Sequence, residues 1–156
     1  MEQRRLWDSG LSMTVVPYVI GVGLDLVEVQ TLEVTLRRTP GLGARLFRPA
    51  ELGRSVESLA GHFAAKEALA KALGGGDLPW TDVEITSSES GAPSLQLGGS
   101  VRARALAVGV VQTHLSITHD GGFAGAIVIL VAETRPTEFP DDMDHPVPPP
   151  PGSRGC

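Results

Sequence analysis

His62-Phe63-Ala64-Ala65-Lys66-Glu67-Ala68-Leu69-Ala70-Lys71-Ala72-Leu73-Gly74 is the stretch from which the rest of the chain is read. Ala, Leu, Lys and Glu are strong helix formers, and neither Gly nor Pro interrupts the run from His62 to Leu73. Ser55 stands where a helix N-cap is needed, and Gly74, with Gly75 and Gly76 behind it, supplies a stop. A helix over 55–73 is therefore expected, with Leu59, Phe63, Ala70 and Leu73 as its apolar stripe. Glu67 and Lys71 lie four residues apart, one turn along the same face. By themselves they read as an exposed ion pair of small energetic weight. Lys66 points about 100° away from Glu67 around the helix axis.

Upstream, Val15 to Val29 is dense in β-formers and reads as a strand buried on both sides. Gly21 and Gly23 interrupt it, and glycines inside a strand mark a bulge or the close approach of a backbone or ligand. Asp25 lies between Leu24 and Leu26. Buried unpaired it would be costly, so it needs a cation, a metal or backbone donors, and a cap on the next helix is the competing explanation. Glu28 reads as a solvated acid at a helix start. Thr31 to Arg38 reads as a short helix, broken by Pro40-Gly41-Leu42-Gly43, with single turns expected at 44–47 and 49–53.

Downstream, Gly74 to Pro79 is a loop that suits either a phosphate-bearing ligand or an ordinary linker. Asp82 to Thr86 and Pro93 to Leu97 form the arms of a hairpin around Ser88–Ala92. Ser100 is expected to N-cap a helix over 101–108, closed by Gly109. Val111 to His119 alternates as a strand, Asp120-Gly121-Gly122 turns it, and the continuously apolar Phe123 to Ala132 is central to a sheet or at an oligomer interface. His119, at the strand end, reads more readily as a structural hydrogen-bonder than as a site residue.

A chain of 156 residues with net charge −5 makes one domain with a real core and no basic stripe, which argues against nucleic-acid binding. No apolar run is long enough to span a bilayer, and no secretory leader pattern is visible. The single cysteine, Cys156, is the last residue, so a reducing cytoplasmic setting is expected. Residues 1–14 read as a flexible extension and 15–132 as the folded domain. Seven of twelve prolines fall in 136–151, so 133–156 reads as a disordered Pro-rich tail.

Four segments then combine: Ile20-Gly21-Val22-Gly23-Leu24-Asp25-Leu26-Val27-Glu28-Val29, the helix from Phe63 to Gly74, Trp80 to Ile85 leading to Gly91-Ala92-Pro93, and Leu115-Ser116-Ile117-Thr118-His119. Together they resemble the short-type 4′-phosphopantetheinyl transferases, the holo-[acyl-carrier-protein] synthase family, over about residues 18–132. The resemblance implies an α+β fold, an antiparallel sheet packed on one long and several short helices, in a homotrimer with active sites between subunits. It implies transfer of the 4′-phosphopantetheine arm of coenzyme A to a serine of an apo acyl carrier protein, with release of 3′,5′-ADP. Mg²⁺ would be held by Asp25 and Glu67, a small carboxylate set of the kind that ion prefers. Glu67 and Lys71 would be the catalytic residues. Lys66, Lys71, Gly74, Gly75, His62, Pro93 and His119 would contact coenzyme A.

Three positions depart from the family pattern. Thr31 and His62 replace arginines that in relatives grip the carrier and the nucleotide phosphate, and Ala92 replaces a turn lysine. A weaker carrier grip and a more pH-dependent coenzyme A affinity are the expected consequences. The competing readings are a non-catalytic coenzyme A-binding trimer and a metal-dependent hydrolase of the coenzyme A pyrophosphate. The retained Asp25, Glu67 and Lys71 favour the transferase.

Overall fold

The computed structural model describes residues 16–133. The expected extension over 1–14 and the tail beyond Glu133 lie outside them. The elements run β1 (Tyr18–Glu28), α1 (Val29–Arg38), α2 (Leu42–Leu46), α3 (Val56–Ala72), a 3₁₀ turn (Trp80–Asp82), β2 (Val83–Ser87), β3 (Pro93–Leu97), α4 (Gly99–Ala107), β4 (Gln112–Asp120) and β5 (Phe123–Ala132). This is an α+β architecture with two antiparallel sheets, a three-stranded one ordered β1-β5-β4 and the β2-β3 hairpin. The apolar β5 is the central strand, and Gly121 and Gly122, both at positive φ, turn β4 into it.

α3 begins where its sequence says it should: the Ser55 side chain accepts from the Ser58 N–H. It packs across β1 and β5, and it is buried around most of its circumference rather than along one stripe. Its alanines explain how. Ala60, Ala64, Ala65 and Ala68 have no exposed surface, so neighbouring backbones approach closely on several sides. The β1 glycines are the counterpart. A Cβ on Gly23 would overlap the carbonyl oxygen of Ala68, and one on Gly21 that of Ala72. The expected close approach is therefore to the backbone of α3. On the far side, a Cβ on Gly61 would come within 2.8 Å of Ile117 in β4.

Two expectations are corrected. β1 is buried on one face only: Leu24 and Leu26 remain 65% and 66% exposed, and Val19 and Val22 face the same way. β1 is an edge strand, and no element among the described residues covers that side of the sheet. The helix after the hairpin starts at Gly99 and is not N-capped by Ser100. The carboxylate of Asp82 accepts from both the Ser100 N–H (2.9 Å) and its hydroxyl (3.2 Å), so the cap comes from a residue 18 positions upstream.

Candidate active site

Asp25 sits on the helix-facing side of β1 and Glu67 and Lys71 on the C-terminal half of α3. The crossing that Gly21 and Gly23 permit brings the strand carboxylate within reach of the helix. Lys71 Nζ donates to Asp25 Oδ1 at 2.7 Å and to the Leu24 carbonyl at 2.9 Å. The Glu67–Lys71 ion pair expected from spacing alone is thus replaced by a bridge between strand and helix. Glu67 makes no hydrogen bond or ion pair among the described residues. Its carboxyl is pushed above the usual range, first by burial, then by the negative charges of Asp25 and Asp77, with Lys71 partly opposing. Asp25 and Lys71 also border a groove of about 560 Å³ whose walls include Leu24, Leu26, Ser116 and Thr118.

Such a site suits a hard divalent cation. Two carboxylates repel each other, and one lysine already offsets part of their charge. No cluster of three or more His, Cys, Asp or Glu forms a metal cage among the described residues. That donor set fits an ion such as Mg²⁺, which takes one or two carboxylates and completes its shell with substrate oxygens and water.

A second cavity, about 240 Å³, opens near the N-terminal half of α3 and brings together His62, Pro93 and His119, along with Arg54 and Glu57. These residues come from a helix, a hairpin and a strand end far apart in sequence. His62 and Lys71 are nine positions apart, roughly 13 Å along the helix at its standard rise. The predicted residues therefore form two clusters joined by one rigid element.

Three of the expected coenzyme A contacts, Lys66, Gly74 and Gly75, are engaged within the chain. Lys66 has no exposed surface. Its Nζ donates to the Leu46 carbonyl (2.8 Å), Glu51 Oε2 (2.8 Å) and the Trp80 carbonyl (3.2 Å), over the Phe47 ring. Burial lowers its pKa, and Glu51 opposes that shift. The lysine turns inward because α3 is enclosed on that side by the segment carrying Glu51. The Gly74 and Gly75 N–H groups bond the carbonyls of Lys71 (3.0 Å) and Ala70 (2.8 Å), closing the helix and leaving neither free to cradle a phosphate. Arg104 of α4 grips the same loop through the carbonyls of Leu73 (2.8 Å) and Gly75 (2.6 Å).

Sequence reasoning missed Arg104 and Glu51. Glu51 sits in a segment with no periodicity, read only as a turn. The one available signal was Lys66 itself, a cation set among alanines on a helix that needed a counter-charge.

Known proteins place the chain. Residues 21–128 match the family model described as the 4′-phosphopantetheinyl transferase superfamily. A holo-[acyl-carrier-protein] synthase of Streptomyces avermitilis is 48% identical over 118 residues, covering 71% of this chain and 96% of the relative. One from Clavibacter sepedonicus is 49% identical over 114 residues, covering 72% and 96%. Among solved structures, the holo-ACP-synthase of Plasmodium yoelii superposes with a TM-score of 0.70 at 26% identity, covering 76% of this chain and 98% of that one. The Helicobacter pylori holo-[acyl-carrier-protein] synthase in complex with coenzyme A does so with a TM-score of 0.63 at 31% identity, covering 70% and 98%. With the family model spanning most of its folded part and relatives about half identical over nearly their whole length, the chain belongs to the holo-[acyl-carrier-protein] synthases of the 4′-phosphopantetheinyl transferase superfamily.

Proposed function

We propose that this protein transfers the 4′-phosphopantetheine group of coenzyme A to a serine of an apo acyl carrier protein, releasing 3′,5′-ADP, with Mg²⁺ at Asp25 and Glu67. The observation that carries the reading is the Asp25–Lys71–Glu67 constellation, built across two elements and held by a glycine-lined crossing. In the reaction, the serine oxygen forms a bond to the phosphorus that bears the pantetheine arm. The bond from that phosphorus to the bridging pyrophosphate oxygen breaks, and 3′,5′-ADP departs with the electron pair. When bound, the metal supplies charge neutralisation to the pyrophosphate.

The chain's own residues do the rest. Lys71, half exposed and anchored by Asp25, presents a compact positive charge beside the carboxylates, where negative charge builds on the phosphoryl oxygens. Glu67 has no hydrogen-bond or ion-pair partner among the described residues, which leaves its carboxylate open to the metal on the site's inner side. His62, Pro93 and His119 line one cavity and would contact the nucleotide end of coenzyme A there. The test is the intact mass of an apo acyl carrier protein after incubation with this protein, coenzyme A and Mg²⁺. A gain of one phosphopantetheine arm, abolished by a chelator, is expected. No gain with any of several carriers sinks the reading.

The same proposal includes a homotrimer. The outer face of the three-stranded sheet carries Val19, Val22, Leu24, Leu26 and Ile127 in one exposed apolar field. Burying such a field between copies is favourable at roughly 25 cal/mol per Å² of apolar area. Sedimentation should report three chains per particle. Leu26→Glu, which sets a charge in the field without touching the inner core, should yield single chains. A wild-type protein that sediments as one chain would refute the assembly.

A further inference from the structure

Glu51 has no part in the reaction described above, yet it is the most fully engaged side chain among the described residues. It has no exposed surface. Oε1 accepts from His62 Nδ1 at 2.9 Å and from the Ile85 N–H at 3.4 Å. Oε2 accepts from Lys66 Nζ and from the Arg48 N–H, both at 2.8 Å. Burial pushes the Glu51 carboxyl up, but the bonds from His62, Lys66 and the Arg48 N–H outweigh it and hold the pKa at about 2. Glu51 is therefore ionised at any working pH, and an ionised carboxylate only accepts hydrogen bonds. The proton in the Glu51–His62 contact must belong to Nδ1. Nε2 has no partner among the described residues, and none of their buried side-chain nitrogens or oxygens is left unbonded, so Nε2 is not a buried atom. His62 is one of the residues that line the 240 Å³ cavity.

We propose that Glu51 is a positioning residue for ligand binding: it fixes His62 with the proton on Nδ1, aims Nε2 into the cavity, and stabilises the imidazolium that forms when a phosphate monoester enters. Phosphate binding then draws a proton from solution onto Nε2. The proposal rests on the reading that this cavity takes the nucleotide end of coenzyme A. With Nδ1 protonated, a neutral imidazole offers the cavity a lone pair, which opposes a phosphate oxygen. Protonation converts that acceptor into a charged donor, and the carboxylate behind the ring supports the new charge. Lys66 makes the arrangement tolerable by balancing Glu51 inside the core. The other charged or titratable groups facing His62 are Arg54, Glu57 and His119 around the cavity. Arg54 favours the incoming anion, Glu57 opposes it, and His119 is the alternative proton acceptor.

The test is calorimetry of 3′,5′-ADP binding to the full chain in buffers of different ionisation heat at neutral pH, which reads protons taken up per ligand. Wild type should show net uptake, and 5′-AMP, lacking the 3′-phosphate, should show less. His62→Gln should lose the uptake and His119→Gln should keep it. Glu51→Gln should bind 3′,5′-ADP about tenfold more weakly, the scale of a lost charge-assisted bond, with the uptake gone. Uptake that survives His62→Gln overturns the proposal. Nitrogen NMR of His62 in unliganded wild type needs no variant to fold. Protonated Nδ1 with unprotonated Nε2 is expected, and the reverse tautomer overturns the proposal. Binding of 3′,5′-ADP without proton uptake overturns the Glu51–His62 role and leaves the transferase reading standing. No binding of 3′,5′-ADP to wild type overturns both.

Discussion

Asp25→Ala is expected to leave a folded protein whose phosphopantetheine transfer falls by about 10³-fold, the scale seen when one pre-placed electrostatic group is removed from a reaction centre. The substitution should not damage the fold, because among the described residues Asp25 has one side-chain partner, Lys71, which is itself half exposed and can turn to solvent. It also removes one of the charges that raise the Glu67 pKa, so Glu67 moves back toward an ordinary carboxylate and the local repulsion is relieved. Thermal stability should therefore hold or rise slightly while activity collapses. Asp25→Asn should behave the same way, since the amide keeps the shape and loses the charge. Intact-mass assay of the carrier beside a melting curve separates the two effects. Activity within a few-fold of wild type would show that the metal and phosphates are held elsewhere.

Gly23→Ala should have the opposite profile, a failure of structure before chemistry. The added Cβ overlaps the Ala68 carbonyl and comes within 2.8 Å of the Ala68 carbonyl carbon and the Ala72 nitrogen. These are backbone atoms of the last turns of a helix and cannot rotate away. α3 has no room to retreat either, because its other faces are fixed by the buried Lys66–Glu51 pair and by contact with β4. The expected cost is about 3 kcal/mol or more, at the upper end for overpacking, and a large part of a domain's total stability. The melting temperature should fall by roughly 10 °C or more. Gly53→Ala is the control: no atom lies within 4 Å of its Cβ position, and the change should stay within about 0.5 kcal/mol. A Gly23→Ala protein as stable as the control would mean that strand and helix are not in this contact.

Lys66, Glu67 and Lys71 show where reading the chain stops being enough. All three are visible as helix residues, and their angular spacing follows from helix geometry. Spacing does not say which direction is inward on a helix enclosed on several sides. The structure sends Lys66 into the core to meet Glu51, leaves Glu67 half-buried and unpaired, and swings Lys71 to Asp25 on another element. The same limit explains β1. Its apolar content predicts burial on both faces, but within one chain only the side against α3 is covered.

What the sequence determined by itself is local. Helix formers between a Ser cap and a Gly stop set α3, Gly-Gly turned the last hairpin, and the alternation of β4 and the unbroken apolar run of β5 set their places in the sheet. The motif set was also legible, since Gly21, Gly23, Asp25, Glu67 and Lys71 carry their chemistry in their identities. The tertiary structure alone decided the partnerships: Asp25 with Lys71, Asp82 with Ser100, and Glu51 with His62 and Lys66. Those contacts join residues 11 to 46 positions apart. No local rule of period or capping reaches that far, because the free energy that selects them is the packing and desolvation of whole elements against one another.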